Sequence, residues 1–139
     1  MKNSRIFANK FVKISEIKKF NQIRKEIKKA NNILLLAHRA PDGDAISSML
    51  ALNLYFKKQR KKTYIYTLGI PQFLNFLPGF NEVQTRIKKT NFDLIFALDY
   101  AGEERLGIPP KFFLDPERVI TIDHHLHLSG RKIGKIKLI

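Results

Sequence analysis

The residues of this chain best suited to chemistry are carboxylates and imidazoles, and they fall in three short segments. His38, Asp42 and Asp44 are spaced His-x3-Asp-x-Asp, Asp99 follows an apolar run, and Asp123, His124 and His125 are consecutive. Oxygen and imidazole donors suit Mn, Mg, Fe or non-thiolate Zn. The chain has no Cys, which excludes disulfides, Cys-ligated zinc and Cys nucleophiles. Each segment also has an ordinary explanation. Asp42 or Asp44 fits a helix N-cap, His38 a hydrogen-bonded core imidazole, and Asp99 a turn residue. Asp123-His124-His125 is harder to explain that way, and carboxylates packed closely repel unless a cation neutralises them. In Asp42-Gly43-Asp44 the alternate carboxylates reach neighbouring positions, and Gly43 is expected to allow a tight turn. Two metals sharing a carboxylate supply a nucleophilic water and hold a phosphoryl group for in-line attack.

Such groups need a frame that brings distant segments together. Ser15 is expected to cap a helix running to about Ala30, with Ile17, Phe20, Ile23, Ile27 and Ala30 as its apolar stripe. Ile33 to Ala37 is a short continuous apolar run, the pattern of a buried parallel strand. Residues 39–44 are turn-forming, and an apolar helix is expected from Ala45 to Lys58. Thr63 to Thr67 reads as a second strand, Pro71 to Phe80 as a short helical turn, Phe92 to Leu98 as a third strand and Val119 to Ile122 as a fourth. Asp93 is a polar exception near the start of the third strand. Ile108-Pro109-Pro110 marks a loop, and Ile133 to Ile139 looks like a further strand. Alternation of helices with buried strands predicts an α/β, Rossmann-like three-layer domain with a mainly parallel sheet. In such sheets ligands bind beyond the carboxyl ends of the strands. Three of the four main strands end in the candidate ligands.

The formal net charge is +14, and the cations come in blocks, among them Lys28-Lys29, Lys57-Lys58, Lys88-Lys89 and Arg131-Lys132. Such a surface attracts polyanions. Solvated helix faces ending in cations that suit the helix dipole explain the blocks equally well. Residues 1–13 form a basic, weakly patterned segment without the long apolar core of a secretory signal. No apolar run is long enough to span a bilayer, so no membrane partner and a cytoplasmic location are expected.

The segment Ala37 to Ser48 (Ala-His-Arg-Ala-Pro-Asp-Gly-Asp-Ala-Ile-Ser-Ser) resembles the first motif of the DHH phosphoesterase superfamily. Asp99 to Gly107, with Arg-x-Gly at its end, resembles the second, and Ile122-Asp123-His124-His125 the third. The ordered set spans positions 37–125. The superfamily includes single-strand exonucleases, nanoRNA-degrading enzymes that also act as phosphoadenosine-phosphate phosphatases, cyclic-dinucleotide phosphodiesterases and manganese-dependent pyrophosphatases. The wording of the motifs is nearest the nucleotide-degrading branch. The resemblance implies two divalent ions, Mn2+ or alternatively Mg2+. It places one on His38, Asp42 and Asp99 and the other on Asp44, Asp99 and His124, with Asp99 bridging and catalytically central. By the same resemblance His125 contacts the substrate phosphate or protonates the leaving group, and Asp123 orients its neighbours. Ser48 faces the phosphate site, and Arg105 anchors the loop after Asp99. The substrate implied is a nucleotide or short oligonucleotide.

Some positions depart from that pattern. Ser47 stands where the superfamily often has Gly, and Leu126-His127-Leu128 replaces a tract that commonly holds Asn. No Asp follows Asp123, so residues 14–139 read as a partial catalytic domain, C-terminally incomplete, lacking a fourth motif and a C-terminal substrate-binding domain. An exposed sheet edge is then expected, with homodimer formation or pairing to another chain through it. A second reading is a non-catalytic nucleotide- or RNA-binding module, or an inactive remnant, on the same fold.

Overall fold

A computed structural model of the chain describes residues 14–108, 115–125 and 130–139. The basic segment 1–13, Pro109-Pro110 and Leu126-His127-Leu128 lie outside the described residues. Among the described residues two helices, α1 (Ile14–Lys29) and α2 (Gly43–Lys58), accompany six strands: β1 (Asn32–Leu36), β2 (Lys62–Tyr66), β3 (Val83–Gln84), β4 (Leu94–Leu98), β5 (Val119–Ile122) and β6 (Ile136–Leu138). They form one sheet in the order β3-β2-β1-β4-β5-β6, and every pairing among them is parallel. No helix among the described residues is long and apolar enough to cross a membrane.

Strand side chains alternate between faces with a period of two, and the two halves of each apolar run enter different cores. Ile33, Leu35, Leu94, Phe96, Leu98 and Ile120 meet Ile23 and Ile27 of α1 and Ala45, Ile46, Met49, Leu50 and Phe56 of α2. Leu34, Leu36, Ile95, Ala97 and Val119 face the other way, against Tyr100, Leu106 and Ile108. The domain is α/β and Rossmann-like. Among the described residues its third layer is built from connecting segments.

Several local expectations change. The first helix already includes Ile14, so Ser15 is inside it and does not cap it. Only the C-terminal part of its apolar stripe is buried; Ile17 and Phe20 are exposed, and α1 packs on the short edge strand β6. The turn expected at Pro71 to Phe80 divides into two 3-10 turns, Gln72–Leu74 and Phe80–Glu82, separated by left-handed Gly79. They lead into β3, a two-residue strand absent from the sequence reading. Asp93 precedes β4 and accepts hydrogen bonds from the backbone N–H groups of Asn31 (2.9 Å) and Asn32 (2.8 Å). It therefore ties the start of β1 to the start of β4, which is why a carboxylate interrupts the apolar pattern there.

Candidate metal centre

The sheet register brings the three segments to one place. Leu36 of β1 pairs with Ala97 of β4, so His38 and Asp99 both emerge two residues past a paired position. Leu98 pairs with Ile122, so Asp99 and Asp123 leave β4 and β5 at the same level. The chain leaves β1 toward β2 on one side, while β4 and β5 extend the sheet on the other. The crevice between β1 and β4 is therefore the topological switch point where such sheets bind ligands.

Two groups form there. Donor atoms of His38, Asp42 and Asp99 lie within 4.8 Å of one another, and so do those of Asp99, His124 and His125. Asp99 is common to both. The first group is the triplet expected from the sequence. The second contains His125 in the place expected for Asp44, whose Oδ2 instead lies 3.6 Å from His124 Nδ1. Ser48 Oγ donates to Asp44 Oδ1 at 3.2 Å and steadies it from the next turn of α2. A cavity of about 270 Å³ opens beside these groups, lined by Asp44, Ser48, Asp99 and His124 and, on its apolar side, by Leu138 and Ile139.

Asp42 does two things at once. Its Oδ1 accepts from the Ala45 N–H at 3.0 Å as the N-cap of α2, and the same oxygen lies 3.9 Å from His38 Nε2. The Ala45 N–H holds its carboxyl below the ordinary value. His38 is buried, with Nδ1 2.9 Å from the Arg39 carbonyl. That contact assigns the proton to Nδ1 and leaves Nε2 as the donor for a metal. Gly43 supplies no tight turn: its φ is not left-handed, and a Cβ there would meet nothing within 4 Å. The left-handed residue is Ala40 (φ 49°), fixed by its N–H to the Leu68 carbonyl at 2.9 Å.

Asp99 is itself left-handed (φ 46°) and its side chain is only 10% exposed. A non-glycine residue pays about 1 kcal/mol or more for that backbone. Burial, and then the charge of Asp44, push its carboxyl above the ordinary value. Its Oδ1 is buried and makes no hydrogen bond among the described residues. His124 Nε2 at 3.6 Å and His125 Nδ1 at 3.4 Å surround that oxygen at distances too long for good hydrogen bonds. Ligands held at about 2.0–2.2 Å from one ion stand roughly 3 Å apart. The donor set, the orphaned oxygen and the crowded carboxylates all fit a divalent cation.

Asp123 lies behind the ligands. Its Oδ1 accepts from the His125 N–H at 3.0 Å and lies 2.6 Å from His125 Nδ1. Its Oδ2 accepts from the N–H groups of Tyr100 (3.3 Å) and Ala101 (2.9 Å) and from Lys132 Nζ (2.7 Å). Burial pushes this carboxyl up, but Lys132 and the two His125 contacts together hold it well below the usual carboxylate range. Lys132 belongs to one of the basic blocks of the sequence, yet it is buried, while Arg131 beside it is exposed. Arg105 also differs from expectation. Its side chain is exposed and bonds to no described residue, and the loop is anchored by its carbonyl, which accepts from the Arg39 N–H at 2.7 Å.

The chain is similar to known proteins in sequence and in fold. A family model described as DHH family, N-terminal domain, matches residues 32–137. Over 95 residues, 67% of the chain, the sequence is 38% identical to a protein of Thermus thermophilus described as bifunctional oligoribonuclease and PAP phosphatase NrnA. The fold is similar to a crystal structure of an exopolyphosphatase-related protein from Bacteroides fragilis, with a TM-score of 0.79 and 26% identity over 88% of the chain. The chain spans 28% of the first relative and 38% of the second.

Proposed function

This chain belongs to the DHH family, through its N-terminal domain, and we propose that it is the metal-binding part of a two-metal phosphoesterase acting on short oligonucleotides or other nucleotide-derived substrates. The observation that carries the proposal is Asp99, shared by both ligand groups and with its inner oxygen unpaired among the described residues. The relative described as an oligoribonuclease and PAP phosphatase favours a nucleotide substrate, and the +14 charge favours encounter with a polyanion.

In this reading His38, Asp42 and Asp99 hold one ion, and Asp99 and His124, with Asp44 close by, hold the other. Mn2+ is the expected metal and Mg2+ the alternative. Bound there, the two ions supply Lewis acidity at the phosphoryl group and make water nucleophilic at neutral pH. The residues of the chain do the rest. Asp99 fixes the spacing of the two halves of the site. Asp123 accepts from His125 Nδ1, so the ring keeps one orientation, and in its imidazolium form the Nε2–H can pass its proton to a leaving oxygen. An imidazolium formed there is stabilised by the Asp123 carboxylate. Ser48 keeps Asp44 in place, and the exposed guanidinium of Arg105 is available to a substrate phosphate. A cytoplasmic setting and pairing of chains through the edge strand β6 belong to the same proposal.

The test is release of mononucleotides from short oligonucleotides, or of phosphate from phosphoadenosine phosphate, with Mn2+ present. Activity that disappears with EDTA and falls at least 100-fold in His124→Ala supports the reading. Activity that persists under both treatments refutes it.

A further inference from the structure

We propose that Lys132 is a positioning residue for this centre: acting through Asp123 and the Ala101 carbonyl, its ammonium holds the turn that aims Asp99 between the two ligand groups. Its purpose rests on the metal-centre reading above, whereas the hold on the turn is independent of any metal. Lys132 Nζ donates to the Ala101 carbonyl and to Asp123 Oδ2, the latter at 2.7 Å, and lies 5.1 Å from the centre of the Tyr100 ring. The Lys132 and Asp123 side chains are 4% and 0% exposed.

The turn needs such a hold. Asp99 and Ala101 are both left-handed, at φ 46° and 62°, a conformation that non-glycine residues keep only where their surroundings enforce it. The Tyr100 and Ala101 N–H groups donate to the same Asp123 oxygen that Lys132 grips. Neutralising Lys132 leaves that buried carboxylate without its charge partner, and both amides then lose a fixed acceptor. The other Asp123 oxygen carries His125, so the disturbance reaches the catalytic imidazole as well.

The approach of residues 130–132 is built for this contact. Gly130 is left-handed, and a Cβ there would come within 2.8 Å of Gly102 Cα, so only glycine lets the two backbones approach. The Glu103 N–H then donates to the Arg131 carbonyl at 3.0 Å, which places the next side chain beneath the turn. Tyr100 locks the same region: its hydroxyl lies 3.0 Å from Thr121 Oγ1 and accepts from the Ile133 N–H at 2.8 Å.

Amide hydrogen exchange on the whole metal-free chain, paired with Mn2+ titration, separates this role from a merely structural ion pair. In Lys132→Met and Lys132→Gln the Tyr100 and Ala101 amides are expected to exchange at least tenfold faster relative to Leu34 and Leu35 of β1. Mn2+ affinity is expected to fall at least tenfold. Lys57→Met, which breaks the remote pair with Glu82, is expected to leave both quantities within twofold of native. Lys132→Arg keeps the charge and serves if the neutral variants do not fold. A planar guanidinium does not reproduce the grip of an ammonium, so at least threefold faster local exchange is expected there. Exchange at Tyr100 and Ala101 that changes only in step with β1 overturns the proposal, as does Mn2+ affinity within twofold of native in a folded neutral variant. A native chain that binds no Mn2+ contradicts the metal reading instead, and the exchange arm still decides the role of Lys132.

Discussion

Oδ1 of Asp99 lies 3.6 Å from Nε2 of His124 and is bonded to neither that nitrogen nor any other described group. A buried carboxylate oxygen left this way is costly. The neighbouring carboxylates add to the cost, since Asp44 and Asp42 both raise the carboxyl of Asp99. The centre is thus a place where the fold gives up stability to hold ligands together, and that trade can be measured.

Asp99→Asn removes one charge from the crowded group and keeps the shape of the side chain. It is expected to stabilise the metal-free chain by about 1 kcal/mol, a rise of roughly 3 °C in the thermal midpoint. Differential scanning calorimetry in EDTA checks this. A lower midpoint than native shows that Asp99 is not under electrostatic strain.

Asp93 gives a pH-dependent test far from the centre. The Asn32 N–H, followed by that of Asn31, depresses its carboxyl below the ordinary value. A depressed acid stabilises the fold above its unfolded pKa, and that contribution is lost as pH falls through the lower folded value. Asp93→Ala is expected to cost about 1 kcal/mol near neutral pH, a modest figure because the group is exposed. The gap between native and variant urea midpoints is expected to stay constant from pH 7 to about 5 and to close below about pH 4. A gap that widens in acid contradicts the assignment.

Two glycines are expected to respond in opposite ways. Gly43 opens α2 with free space around it, so Gly43→Ala is expected to be neutral or to stabilise by about 0.5 kcal/mol. Gly134 has φ +102°, and a Cβ there would come within 2.6 Å of the Val119 carbonyl oxygen. Gly134→Ala is expected to cost about 1–3 kcal/mol. Denaturant midpoints of the two variants decide the matter, and equal midpoints would contradict the backbone description.

Much of the frame was legible because strands β1, β4 and β5 are largely apolar runs with a carboxylate or an imidazole within two residues of their ends. His38, Asp42, Asp99 and His124 were readable for that reason. The strand β3 was not, because two residues, Val83 and Gln84, carry no period to detect. Lys132 was hidden by its neighbour: next to Arg131 it looks like half of a solvated pair, and only the approach of Gly130 to Gly102 turns it inward. Asp42 looked like a choice between cap and ligand, and the geometry allows both from one carboxylate. The stripe of α1 was overread at Ile17 and Phe20 because periodicity reports a face and not what lies against it.

The most direct test of the shared-carboxylate centre is calorimetric titration of Mn2+ into the native chain and into Asp99→Asn. Because Asp99 belongs to both ligand groups, the native chain is expected to bind two ions, and the variant to bind neither within about 100-fold of native affinity. An Asp99→Asn chain that takes up Mn2+ with native stoichiometry and affinity would show that Asp99 does not bridge two metals.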